Sequence, residues 1–153
     1  MTTNATLTRE QTQAIIDRLV PFYESLTAGS IEGFDNFYAH DAKFRDPFNR
    51  VADIEAIKKI FRHMFVQVND PVFSVSKSIV GNGEAILFWK FHFRFKGMGC
   101  KETQSLEGVS HLELNADGKV TLHRDYWDAA EELYSRLPVI GVLMRGLQKM
   151  LRA

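Results

Sequence analysis

The sequence predicts an α+β fold, with helices in the first half of the chain and an antiparallel meander of strands in the second. Apolar residues recur at helical spacing in roughly the first 70 positions. Between residues 72 and 127 they alternate with polar residues, as in strands with one buried face. The turn sequences 81–83 and 115–118 separate these alternating segments. With 153 residues, 45% of them hydrophobic, the chain can form one domain, which we expect to span residues 1–153.

The first helix is marked by its N-terminal cap. Thr8 and Gln11 stand in a capping-box pattern, so the helix should begin just after Thr8, and residues 1–8 should be flexible. Pro21 lies inside the helix and should kink it or loosen one turn. Residues 28–30 should end it. Its apolar stripe consists of Ile15, Leu19, Phe22, Tyr23 and Leu26.

Two further helices and four strands should follow. Ser30 can cap a short second helix, and Asp53 can cap a third that ends at residues 69–71. The second helix should carry Phe34, Phe37 and Tyr38. The third should bury Ile54, Ile57, Phe61, Met64 and Phe65. The strands are expected at residues 72–80, 85–96, 105–114 and 120–127.

Between the second and third helices, residues 37–48 should run through a polar bend into a short strand. Asp46 is expected in that strand between Phe44 and Phe48, and Pro47 favours extended backbone at Asp46. A carboxylate among phenylalanines is costly unless it has a partner or a function, so Asp46 is a candidate functional residue. The alternative is that Asp46 holds a turn or caps a helix beside a neighbouring arginine.

Composition argues against several classes of protein. The chain has 19 basic and 19 acidic residues, a formal net charge of zero, so we expect no nucleic-acid partner. No apolar run approaches the roughly 20 residues of a membrane span. The single cysteine, Cys100, cannot form an internal disulfide, which is compatible with the cytoplasmic location that we expect. The histidine spacing forms no zinc motif, and there is no glycine-rich phosphate loop, so we expect neither a metal nor a cofactor.

The order of elements and three short motifs resemble the nuclear-transport-factor-2-like superfamily, in particular its SnoaL-like branch. That branch includes relatives of ketosteroid isomerase, polyketide cyclases and limonene-epoxide hydrolase. The motifs are residues 37–42, Asp46 with Pro47, and residues 118–128. The resemblance implies a cone-shaped, strongly curved sheet wrapped around the N-terminal helices. It also implies a pocket for a small hydrophobic ligand and a homodimer formed through the outer face of the sheet.

The resemblance further implies which residues line the pocket. The inward face of the strands should present aromatic residues together with a few polar ones, although any single aromatic is more often a core residue. The expected substrate-binding residues are Phe22, Tyr23, Phe44, Trp89, Phe91, Phe93, Ser110, Leu112 and Trp127.

The expected catalytic residues also come from the resemblance. Asp46 matches the position of the catalytic base in the isomerase-like members. The positions of their two oxyanion donors fall here on Phe22, which cannot donate, and near Ser110, and Tyr23 is expected to turn away. Asp125 matches one acid of the epoxide-hydrolase pattern.

The epoxide-hydrolase pattern pairs this acid with an arginine and a second aspartate. Their positions fall on Trp89 and Phe91, or, if the register slips by one residue, on Lys90 and His92. A recombined site of Asp46, Asp125 and His123 at the pocket floor is therefore the expected catalytic set.

Such a site suits isomerase, dehydratase, hydrolase or cyclase chemistry on a steroid-, polyketide-, terpenoid- or lipid-like substrate. The alternative is a non-catalytic ligand-binding or accessory module of the same fold. Residues 129–153 are expected to form a C-terminal helical extension that closes the cone, packs on a dimer partner or makes weak contact with lipid. Its apolar face consists of Leu137, Ile140, Leu143, Met144, Leu147 and Leu151.

Overall fold

The structure, a computed structural model, describes residues 6–97, 101–129, 145–146 and 149–150. The predicted α+β class is confirmed. The predicted C-terminal extension lies almost wholly outside the described residues, as do residues 1–5. In chain order the elements are α1 (Arg9–Glu24), a 3₁₀ helix (Ile31–Asn36), β1 (Tyr38–Arg45), β2 (Arg50–Ala52), α2 (Ile54–Gln67), β3 (Val68–Val80), β4 (Glu84–Phe95), β5 (Gln104–Leu114) and β6 (Val120–Trp127).

The strands form one curved, six-stranded sheet in the order β2-β1-β6-β5-β4-β3. Strands β3 to β6 are a meander of antiparallel neighbours, and β1 pairs with β6 in parallel. This parallel pairing joins the first half of the chain to the last strand. It places Phe44 opposite His123 in the sheet, 79 positions apart in the sequence.

The helices pack over the concave face of the sheet. The predicted capping box at Thr8 is present, and α1 buries a stripe that consists of Thr12, Ile16, Leu19 and Tyr23. Asp53 caps α2 through a hydrogen bond from the backbone N–H of Ala56. The core beneath both helices includes buried side chains from every strand except β2, whose Val51 is partly buried against it.

The predicted second helix is wrong in its extent. It is a single 3₁₀ segment, Ser30 makes no capping hydrogen bond with its side chain, and Tyr38 is the first residue of β1. The sheet explains the difference, because the backbone N–H of Val120 donates to the carbonyl of Phe37 at 2.7 Å and draws this segment into an extended ladder. Most of the predicted polar bend is therefore strand.

The predicted start of the strand at residues 72–80, which is β3 in the structure, is wrong. Helix α2 ends at Gln67 and β3 begins at Val68, four residues before the predicted start. The pairing of β3 with β4 shifts register between Asn69 and Val72, around Pro71. Proline is tolerated here because β3 is an edge strand with a bulge at this point.

Candidate functional site

A cavity of about 730 Å³ lies between the helices and the concave face of the sheet. Its walls are mostly aromatic and aliphatic side chains from α2, β3, β4 and β5. Such a cavity has the size and character of small-molecule sites in proteins. The predicted site residues that line it are Tyr23, Phe44, Asp46, Trp89, Phe91, Phe93, Ser110, His123, Asp125 and Trp127.

Two residues predicted to bind substrate lie in the core instead of lining this cavity. Phe22 is on the flank of α1, where its ring contacts Phe34 and Phe37 at centroid distances of 5.3 and 4.8 Å. Leu112 is fully buried in the main core cluster. Helical spacing accounts for Phe22, because Tyr23 and not Phe22 continues the buried stripe of α1.

Asp46 lies in a turn directly after β1 and not inside a strand, which corrects the predicted placement. Its Oδ1 accepts hydrogen bonds from the backbone N–H groups of Phe48 at 2.7 Å and Asn49 at 2.6 Å. The side-chain amide of Asn49 also donates to both carboxylate oxygens. The carboxylate of Asp46 therefore holds a turn, and it also lines the cavity.

Six polar side chains form a continuous hydrogen-bond chain along one wall of the cavity. At one end, the indole N–H of Trp89 donates to Ser110 Oγ at 2.9 Å, and Ser110 donates to Asp125 Oδ1 at 2.5 Å. The same Oδ1 lies 2.8 Å from His123 Nε2. The chain continues from His123 Nδ1 to the hydroxyl of Tyr38 at 2.6 Å and from there to the hydroxyl of Tyr23 at 2.5 Å. We call this set the hydrogen-bond chain.

The hydrogen-bond chain is buried except at Asp125, whose side chain is 17% exposed. The hydrogen bonds of Asp125 described above all go to Oδ1, and its side chain lines the cavity. Burial raises the pKa of Tyr23 and of Tyr38 above the ordinary value of 10.0. Each tyrosine therefore carries one hydroxyl proton at neutral pH, and each can donate only one hydrogen bond.

Tyr38 is the member of the hydrogen-bond chain that the sequence did not reveal. It was predicted as a helical core residue, and Tyr23 was expected to turn away from the site. In the structure Tyr23 faces inward and contacts both Tyr38 and the ring of His123, the latter at a centroid distance of 5.8 Å. A regular strand alternation would have identified Tyr38 as an inward-facing residue. That alternation is interrupted, because the pairing of β1 with β6 shifts register between Tyr38 and Lys43.

The two candidate carboxylates, Asp46 and Asp125, also line a second depression of about 510 Å³ beside the main cavity, together with Arg45 and Arg124. Two other histidines have described surroundings: His63 lines the main cavity, and His111 Nε2 lies 3.4 Å from Glu84 Oε2. Within the described residues, no three His, Cys, Asp or Glu side chains are grouped as metal ligands would be. None of the helices in that part of the chain is long and apolar enough to cross a membrane.

Comparison with known proteins agrees with this architecture. A protein-family model described as a SnoaL-like domain matches residues 20–123. No curated protein matches the chain. Among solved structures, TsrD from Streptomyces laurentii is similar with a TM-score of 0.66 at 19% identity, over 84% of this chain and 95% of that one.

Two further solved structures have the same fold. An epoxide hydrolase of M. tuberculosis, described as LEH-like, has a TM-score of 0.65 at 13% identity, over 94% of this chain and 96% of that one. A hypothetical protein of Catenulispora acidiphila with a ketosteroid isomerase-like fold, in complex with trimethylamine, has a TM-score of 0.65 at 12% identity. That alignment covers 78% of this chain and 88% of the other. At these identities the likeness concerns the fold.

Proposed function

The chain belongs to the SnoaL-like domain family, and from that premise we propose that it catalyses acid–base chemistry on a hydrophobic small molecule containing oxygen. Reactions of the isomerase, dehydratase, hydrolase or cyclase type fall within this proposal. The observation that supports it best is the setting of Asp125. A partly exposed carboxylate, held at one oxygen by Ser110 and His123, lines a largely apolar cavity.

In this proposal Asp125 Oδ2 exchanges a proton with the ligand, while Oδ1 stays hydrogen-bonded. His123 and Ser110 fix the orientation of the carboxylate and stabilise its negative charge. Asp46 also lines the cavity, and its carboxylate adds negative charge beside Asp125 while holding its turn. The aromatic walls bind the apolar body of a steroid-, polyketide-, terpenoid- or lipid-like substrate.

A test of catalysis is proton exchange with solvent. The protein would be incubated in deuterium oxide with a panel of hydrophobic ketones, and deuterium at the carbon next to the carbonyl would be measured by mass spectrometry. A parallel panel of apolar epoxides would be assayed for diol formation. We expect activity that Asp125→Asn abolishes and His111→Asn, a histidine outside the main cavity, retains. Equal rates for the wild type and Asp125→Asn across both panels would refute the proposal.

The second candidate function is a non-catalytic ligand-binding or accessory module. One observation favours it: every buried side-chain nitrogen and oxygen of the described residues has a hydrogen-bond partner. A network that is satisfied in this way needs no ligand to complete its hydrogen bonds, as expected of side chains that hold the sheet and helix together. Tight binding of an apolar ligand without exchange or diol formation would support this candidate.

The predicted homodimer also remains a proposal. Ile79 on β3 and Tyr126 on β6 are 51% and 45% exposed, and each lies on the opposite strand face from a buried or cavity-lining neighbour. A second copy packed on this outer face would cover them. Sedimentation of the wild type and of Tyr126→Lys would measure the association. The cytoplasmic location stays a prediction from the sequence.

A further inference from the structure

The hydrogen-bond chain has a property that follows from counting its protons. With Asp125 ionised and His123 neutral, Nε2 carries the imidazole proton and donates to Asp125. His123 Nδ1 must then accept from Tyr38, and the oxygen of Tyr38 accepts from Tyr23. Tyr23 therefore donates its only hydroxyl proton to Tyr38, within the hydrogen-bond chain. In this state Tyr23 offers a cavity ligand a lone pair and no donor.

One additional proton reverses the order. If His123 takes up a proton from solvent while Asp125 stays ionised, Nδ1 also carries hydrogen, and it donates to the oxygen of Tyr38. Tyr38 then donates to Tyr23, and the O–H group of Tyr23 can point into the cavity that its side chain lines and donate there. The change needs two hydroxyl rotations and one proton. No bond to carbon forms or breaks.

We propose that protonation of the His123–Asp125 pair converts Tyr23, through Tyr38, from a hydrogen-bond acceptor into a donor for an oxygen of the bound ligand. Tyr38 is a positioning residue in this arrangement, because it transmits the change without touching the ligand. The raised pKa of each tyrosine agrees with the proton count, since neither hydroxyl ionises at neutral pH.

This inference rests on the proposed function, because it gives the ligand an acceptor oxygen and deepens the role of the same site. It explains how the site could present a donor to an oxygen of the ligand. The proton that turns Tyr23 into a donor comes from solvent and is held at His123 Nδ1, so it is separate from any proton that Asp125 Oδ2 removes from the ligand. The negative charge that develops on the ligand oxygen then has a donor to stabilise it.

Thermodynamic linkage makes the inference measurable without catalysis. A ligand that requires a donor from Tyr23 must bind together with a proton, whereas a ligand without oxygen need not. The probes are 1-indanone, an apolar ketone, and indane, the hydrocarbon of the same shape. Calorimetric titration in buffers of different ionisation enthalpy gives the number of protons taken up, and infrared difference spectra of bound 1-indanone report whether its carbonyl accepts a hydrogen bond.

Near neutral pH, the expected uptake by the wild type is about one proton per bound 1-indanone and none for indane. Tyr38→Phe should still bind the ketone with a hydrogen-bonded carbonyl but without uptake, because Tyr23 no longer has a hydroxyl to donate to. Tyr23→Phe should lose the shifted carbonyl band. The other titratable side chains of the cavity are Glu24, Asp46, Lys59 and His63. His63→Gln, which removes the other histidine of the cavity, should leave the uptake unchanged.

The possible outcomes separate the inference from the proposed function. If 1-indanone binds to the wild type without proton uptake, or if Tyr38→Phe retains the uptake, the inference is overturned while acid–base catalysis can still stand. If the uptake follows the expected pattern but deuterium exchange is absent, the inference stands and catalysis does not. If neither 1-indanone nor indane binds, the ligand class is wrong and both proposals are overturned.

Discussion

Asp46 and Asp125 line the same cavity, but contacts of different kinds hold them. The carboxylate of Asp46 accepts from groups two and three residues further along the chain, at 2.6–3.1 Å. The carboxylate of Asp125 accepts from Ser110, on the neighbouring strand, and from His123, which in turn contacts Tyr38, 85 residues away in sequence. The first arrangement is a local turn. The second exists only when α1, β1, β5 and β6 are assembled.

The difference shows how one cavity can contain two carboxylates with separate roles. The turn can hold Asp46 whatever happens at Asp125, since all the hydrogen-bond partners of Asp46 described above belong to its own loop. Asp125 is coupled to a buried network in which each hydrogen bond is strengthened by the low dielectric around it. We therefore expect changes at Asp125 to affect chemistry, and changes at Asp46 to affect mainly the local backbone.

The largest expected effect is on turnover. Asp125→Asn should lower the rate of the reaction found in the substrate panels by a factor of about 100 or more, because the amide cannot accept the proton. Asp46→Asn should change that rate by less than about threefold, because asparagine supports the same turn. Initial rates with circular dichroism as the folding control provide the test. The opposite ranking would make Asp46 the base and contradict the comparison.

The next effect concerns stability at alkaline pH and belongs to the hydrogen-bond chain alone. Burial raises the pKa of Tyr23 and Tyr38 in the folded state above 10.0, so the unfolded chain loses these protons first. Their contribution to the free energy of unfolding is intact below pH 10. It falls as the pH rises above 10, by about 1.4 kcal/mol per pH unit for each tyrosine. Urea unfolding at several alkaline pH values would measure the slope.

Tyr38→Phe isolates one part of that slope. The variant should lose the contribution of one tyrosine, so its stability should fall less steeply with pH than that of the wild type. Asp46→Asn should leave the slope unchanged, because no tyrosine hydroxyl takes part in its turn. Parallel slopes for the wild type and Tyr38→Phe would mean that Tyr38 ionises in the folded state as it does in the unfolded one.

A smaller effect is expected where Trp89 ends the hydrogen-bond chain. A Cβ added at Gly108 would lie 2.5 Å from the indole of Trp89 and 2.8 Å from the backbone carbonyl of Tyr126, so both the indole and the backbone at Tyr126 must shift. Gly108→Ala should cost about 1–2 kcal/mol and alter tryptophan fluorescence by disturbing the bond from Trp89 to Ser110. Gly29→Ala, whose nearest contact would be 3.8 Å, is the control and should cost less than about 0.5 kcal/mol. Equal stability of the two variants would show that the indole moves without cost.

The sequence was informative where structure is local or strictly periodic. The aromatic face of β4 and the caps of α1 and α2 follow from spacing alone, and the turn at Asp46 was one of two open alternatives. Tyr38 could not be placed, because a register shift in β1 breaks the alternation and the partner His123 is distant in sequence. The resemblance brought Asp46, Asp125 and His123 together at the pocket floor, but the connection of His123 to Tyr23 through Tyr38 needed the pairing of β1 with β6.

The smallest expected effect lies at the turn of Asp46. Asn49→Ala removes the side-chain amide that donates to Oδ1 at 3.1 Å and Oδ2 at 3.0 Å, but it leaves the two shorter bonds from backbone N–H groups. The remaining bonds should hold the turn, so the loss should be about 0.5–1 kcal/mol in urea unfolding.

The matched variant is Ser110→Ala, which removes a hydroxyl that links Trp89 to Asp125 inside the buried hydrogen-bond chain. It should cost more stability than Asn49→Ala, because it leaves the buried indole N–H without its partner. It should also reduce turnover, whereas Asn49→Ala should leave both turnover and the proton uptake on binding 1-indanone unchanged. A fall in turnover in Asn49→Ala as large as that in Ser110→Ala would mean that the turn and the hydrogen-bond chain act as one unit, and that the two carboxylates are not separate.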